Sequence, residues 1–100
     1  MAVMMRMRWD GVTPEQYEEA RRVVNWEGDL PDGAMFHVAS FDGGALYVTD
    51  LWESAEAFGA FAESRLMPGV QQVGIQGQPE TSISEAHAIF APAFEAASRQ

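Results

Sequence analysis

The tripeptide Asp42-Gly43-Gly44 constrains this chain more than any other feature, because it joins two runs that both read as strands. Asp-Gly favours the positive-φ turns whose twist matches paired strands, so residues 34–41 and 45–52 are expected to form an antiparallel hairpin. The same period of two opens the chain. Val3, Met5, Met7 and Trp9 fall on one side of residues 3–9, and Met4, Arg6 and Arg8 on the other. A fourth strand is expected over residues 81–90.

Helical signals lie between these strands. Thr13 reads as an N-cap, Pro14 suits the first helical position, and Gln16 completes a capping box. Val12 and Tyr17 have the spacing of a hydrophobic staple, and Tyr17, Ala20 and Val24 share an apolar face over a helix that reaches about Asn25. Ser54 caps a second helix with an apolar stripe of Phe58, Phe61, Ala62 and Leu66. Pro68-Gly69 is expected to interrupt that helix and to start a short extra turn. The order β-α-β-β-α-β predicts an α+β, ferredoxin-like domain over residues 1–90, with a four-stranded antiparallel sheet and a C-terminal tail over 91–100. Two helices cover one sheet face only. The other face, carrying Met4, Phe36, Val38, Tyr47 and Leu51, is too apolar to stay wet, so a homodimer packed sheet to sheet is expected.

Charge narrows the range of functions. The 100 residues carry a net charge of −9, with 6 basic residues, all arginine. No basic stripe is available for phosphates or an anionic membrane surface, and no run approaches the ~20 apolar residues of a membrane helix. With no cysteine, disulfides, thiolate nucleophiles and cysteine-type zinc sites are excluded. Residues 1–9 lack the apolar run of a signal peptide, and a cytoplasmic protein is expected. No metal-ligand spacing and no phosphate-cradling or dinucleotide loop is present, so neither metal nor cofactor is expected.

Candidate chemistry rests on few residues. If Asp42-Gly43 forms a two-residue turn, His37 stands opposite Val48 and Asp50 is its diagonal neighbour on one face, with Trp52 beyond. That face would hold a hydrophobic or aromatic small molecule and move a proton, with His37 and Asp50 as the catalytic pair. A three-residue turn would slip the register by one and put His37 with Tyr47 and Thr49. Trp9, Trp26 and Trp52 each stand at the end of an element, where a ring either lines a pocket or closes the core. His87, sharing a strand face with Ile83, Glu85 and Ile89, is either a structural histidine or half of a Glu85–His87 relay. The substrate-contacting candidates are Trp52, Trp9, Trp26, Phe58 and His87. Arg6 and Arg8 alternate on the first strand, where they would grip an anionic ligand or pair with acids across a dimer interface.

The stretch Ala39-Ser40-Phe41-Asp42-Gly43-Gly44, Leu46-Tyr47-Val48 and Leu51-Trp52-Glu53-Ser54-Ala55-Glu56-Ala57-Phe58 resembles the antibiotic biosynthesis monooxygenase-like family of dimeric α+β barrels. Trp52-Glu53-Ser54 followed by Phe58 carries the resemblance. It implies a homodimer whose two sheets form a barrel, a pocket in each subunit between sheet and helices, and a Trp52 ring lining it. Family members include cofactor-free oxygenases acting on polycyclic phenols and haem-degrading enzymes. Val48 stands where a polar amide is frequent in the family, and both histidines are expected on strands, leaving no helix histidine for haem. The resemblance therefore implies a cofactor-independent enzyme performing oxygenation, isomerisation or cyclisation, or a non-catalytic ligand-binding dimer.

Overall fold

The computed structural model describes residues 1–93, and its elements follow the expected order. Strand β1 spans Val3–Asp10, helix α1 Pro14–Val24, β2 Ala34–Asp42 and β3 Ala45–Trp52. Helix α2 spans Ala55–Phe61, a π-helical turn Ala62–Leu66, α3 Met67–Val73 and β4 Glu80–Glu85. The four strands form one antiparallel sheet in the order β2-β3-β1-β4. This is the ferredoxin-like α+β arrangement.

Local chemistry explains each boundary. Thr13 accepts a hydrogen bond from the Gln16 backbone N–H while the Gln16 side chain accepts from the Thr13 backbone, the expected capping box. Asn25 ends α1 in the left-handed region, at φ 59°, which asparagine tolerates better than most residues. The hairpin turn has two residues, but they are Gly43 and Gly44 rather than Asp42 and Gly43. Asp42 pairs with Ala45, and both glycines have positive φ. Moving the turn by one residue shifts the register by two. The faces are therefore kept, and His37 comes directly opposite Asp50 instead of Val48.

Two expectations are corrected. The fourth strand ends at Glu85, not Phe90, because its only partner is β1, and the ladder runs out where Glu85 meets Val3. The expected tail falls mostly outside the described residues, which end at 93. Pro68 does not interrupt the second helix. Leu66 and Met67 keep right-handed helical angles, and the chain passes from α2 into α3 through the π-helical turn. Proline lacks an N–H and its ring collides with the carbonyl four residues back, and a wider turn ahead of it accommodates both effects.

The helices cover one face of the sheet. Val3, Met5, Met7 and Trp9 from β1 and Leu46, Val48 and Trp52 from β3 are buried there, with Val24, Phe58, Phe61 and Val70 from the helical layer. Buried Gly69 lets α3 approach α1, since a Cβ there would stand 2.5 Å from Val24 Cγ2. Arg65 reaches across with Nη2 to the carbonyls of Val24, Asn25 and Asp29, tying the end of α1 to the second helix. Met4, Phe36, Val38, Tyr47 and Leu51 lie on the opposite face, as the alternation requires, where Val38 is 48% and Tyr47 40% exposed. No helix among the described residues is long and apolar enough to cross a membrane.

Candidate active site

Between the inner sheet face and the helices lies a cavity of about 350 Å³. Its floor is Met5, Met7, Trp9, Leu46, Val48 and Trp52, and its walls come from Val12, Tyr17, Ala20, Trp26, Phe61, Leu66, Val70 and Ile75. The side chains bearing polar or charged groups on this lining are few: Tyr17, Glu27, His37 and Asp50, with the indole N–H groups of its three tryptophans. A small-molecule site has this composition, an apolar wall with a few convergent polar groups.

Those groups are joined. His37 Nδ1 lies 2.6 Å from Asp50 Oδ1, and Trp52 Nε1 donates to Asp50 Oδ2 at 3.0 Å. The Tyr17 hydroxyl lies 2.7 Å from His37 Nε2. Asp50 is the one buried charged residue among those described, at 6% exposure, and both of its oxygens are engaged. A buried carboxylate requires such partners. An ionised Asp50 can only accept, so the shared proton sits on His37 Nδ1, and in the neutral imidazole Nε2 carries the ring's lone pair toward Tyr17. The His37 side chain keeps 32% of its surface exposed, which leaves it in exchange with solvent at the cavity's edge.

Aromatic rings surround the imidazole. The Trp26 ring is centred 5.3 Å from His37 and 5.9 Å from Tyr17, and Phe41 meets Tyr17 edge-on at 6.0 Å. Burial pushes the Tyr17 hydroxyl up to about 12, assisted by the negative charges of Glu18, Glu27 and Asp50 against an opposing Arg21. Glu27 is held in a fork by Arg21, with Nη2 to Oε2 at 2.8 Å. That hydrogen bond, followed by the Arg21 charge, keeps the Glu27 carboxyl below the usual range.

The sequence candidates fall into two groups. His37, Asp50, Trp52, Trp9 and Trp26 all line the cavity. Trp9 closes one end, donating from Nε1 to the Gln76 carbonyl at 2.8 Å. Phe58 lies outside the lining and packs edge-on against Trp52 with ring centres 5.5 Å apart. His87 is exposed in a bend beyond β4 and touches neither cavity nor sheet ladder, because the strand that would have carried it has ended. Arg6 and Arg8 point to the opposite face, and no arginine among the described residues lines the cavity. Sequence reasoning took Tyr17 for helix packing and passed over Glu27. The available signal was a tyrosine on an otherwise aliphatic stripe, since a buried hydroxyl requires a partner.

No protein-family profile matches the sequence, and no curated protein does. Solved structures do match its fold. SnoaB, a cofactor-independent oxygenase from Streptomyces nogalater, superposes with a TM-score of 0.64 at 12% identity, over 88% of this chain and 94% of that one. ActVA-Orf6, a monooxygenase from Streptomyces coelicolor solved with nanaomycin D, gives 0.60 at 17% identity, over 91% and 92%. A candidate antibiotic biosynthesis monooxygenase from Nitrosomonas europaea gives 0.66 at 11% identity, over 86% and 90%. The expected resemblance thus extends to the backbone, and the chain has the ferredoxin-like α+β fold of the antibiotic biosynthesis monooxygenase-like proteins.

Proposed function

We propose that this protein is a cofactor-independent enzyme that binds a hydrophobic or aromatic small molecule in the apolar cavity and removes a proton from it. The observation that carries this reading is the buried Asp50, which spends one oxygen on Trp52 and the other on His37. Such a carboxylate fixes the imidazole's orientation and stabilises the imidazolium formed when His37 takes a proton. Nothing about packing alone requires an acid at this place, since the neighbouring inner-face positions on β3 are Val48 and Trp52. Deprotonation of a hydroxyarene leaves an electron-rich phenolate, and deprotonation of a carbon next to a carbonyl leaves an enolate. Isomerisation or ring closure follows from that anion directly, and oxygenation follows with dioxygen as co-reactant. The oxygenases among the fold relatives support this class of chemistry. The exposed apolar face supports a homodimer as the working unit.

The test separates binding from chemistry. 2-Tetralone, a neutral bicyclic carbon acid, serves as probe under anaerobic conditions. The protein should accelerate loss of deuterium from its C1 position. His37→Gln should lower that rate by roughly 10²–10⁴-fold, while 2-tetralone still quenches tryptophan fluorescence with similar affinity. Equal exchange rates in the wild type and the variant, at equal binding, would leave the protein a ligand-binding dimer without turnover.

A further inference from the structure

Both nitrogens of His37 are already occupied. Nδ1 faces Asp50 at 2.6 Å and Nε2 faces the Tyr17 hydroxyl at 2.7 Å. An imidazole nitrogen has one in-plane lone pair or one proton, so each makes one good hydrogen bond. A ligand in the cavity therefore has no vacant His37 nitrogen to address. The Tyr17 hydroxyl differs. It donates one hydrogen bond and accepts two, and among the described residues no other hydrogen bond reaches it. Tyr17 lines the cavity from α1, opposite the strand that carries His37.

We infer that Tyr17 is the residue that meets the substrate, passing its own proton to His37 Nε2 as it takes the substrate's proton on its oxygen. This rests on the reading of His37 and Asp50 as the proton-accepting pair. With Asp50 ionised and the imidazole neutral, the donors all point one way: Tyr17 O–H to Nε2, then Nδ1–H to Asp50, with Trp52 N–H closing the far oxygen. The step balances without an oxidant. The substrate O–H or C–H bond breaks and a bond to Tyr17 oxygen forms; the former Tyr17 proton moves to Nε2, and the products are the substrate anion and an imidazolium beside Asp50. Burial raises the Tyr17 hydroxyl to about 12, so a free tyrosinate is disfavoured and the two transfers are coupled. His37, at the solvent edge, then releases its proton to water. Trp26 and Phe41, with ring centres 5.9 and 6.0 Å from that of Tyr17, hold the phenol ring in place.

Tyr17→Phe tests the inference, because it keeps the ring and removes only the hydroxyl. Circular dichroism and the thermal midpoint establish that the variant folds. The expected result is a fall of roughly 10²-fold in deuterium loss from 2-tetralone, with binding within a factor of three. Mixtures of H2O and D2O supply a readout that a structural role would not move. Read as release of a tritium label from C1, the wild-type rate should fall in a straight line with the deuterium fraction, since the Tyr17 proton in flight exchanges with solvent and the substrate's does not, and the residual Tyr17→Phe rate should stay nearly level. An unchanged or faster Tyr17→Phe rate would overturn the inference, making Tyr17 a plug over His37, while a slow His37→Gln in the same assay would leave the acid–base reading intact. If His37→Gln also exchanges at the wild-type rate, both fail together.

Discussion

At the scale of single residues, the site is a short chain of unlike groups whose properties depend on one another. Asp50 is tolerable inside the protein because His37 and Trp52 supply its hydrogen bonds, and His37 is oriented because Asp50 is there. Tyr17 is held on the far nitrogen, in surroundings that favour its neutral form. This has a consequence for alkaline stability. The folded protein binds the Tyr17 proton more tightly than the unfolded chain, whose tyrosine titrates near 10.0. The stabilisation is fully present below that pH and is lost as the pH rises from there through about 12. Spectrophotometric titration of the folded protein should show a tyrosinate step near pH 12 that Tyr17→Phe removes.

At the scale of elements, the cavity lies between the sheet and a helical layer in which α1 packs closely on α3. Gly69 makes that contact possible, and Pro68 beside it is accommodated by the π-helical turn. Two glycines of the second helical run therefore predict opposite outcomes. Gly69→Ala would drive a methyl into Val24 and should destabilise by about 1–3 kcal/mol. At Gly59 a Cβ meets nothing within 4 Å. Gly59→Ala removes backbone freedom from the unfolded chain and should stabilise by about 0.5–1 kcal/mol. Thermal unfolding of the pair checks both signs, with each kcal/mol moving the midpoint by roughly 4–8 °C in a domain of this size. Arg65, whose guanidinium joins three carbonyls at the end of α1 and stacks over Phe61, is the other link that keeps the cavity roof in place.

At the scale of the whole molecule, the helices cover one face of the sheet and leave the other without a helical layer among the described residues. That second face carries exposed Val38 and Tyr47 and half-buried Met4 and Leu51, with Arg6 and Arg8 among them. A net charge of −9 opposes association, so a stable pair requires a large apolar contact, and this face offers it. Sedimentation at micromolar concentration should give about twice the 11.0 kDa chain mass. Val38→Lys, on the edge strand β2 of that face, should shift the protein toward monomer while leaving the folded structure intact by circular dichroism. A monomeric wild type would remove the case for a dimer.

Local physics wrote most of the fold into the sequence. Alternation set the faces of β1, the Thr13 and Ser54 caps set where helices begin, and the Gly-rich turn set the hairpin. The pairing of His37 with Asp50 was half legible. Side chains repeat every two residues, so a turn misplaced by one residue still left both on the same face and changed only diagonal to direct. The ends of β4 and of the second helix were less so. A strand stops where its partner stops, and a proline breaks a helix only if the preceding turn cannot widen. Tyr17 belongs to neither local code. Its place on His37 depends on how a helix 20 residues earlier packs across the sheet, and tertiary structure alone decides that because the contact is fixed by the volume of the side chains between them, not by any repeat along the chain.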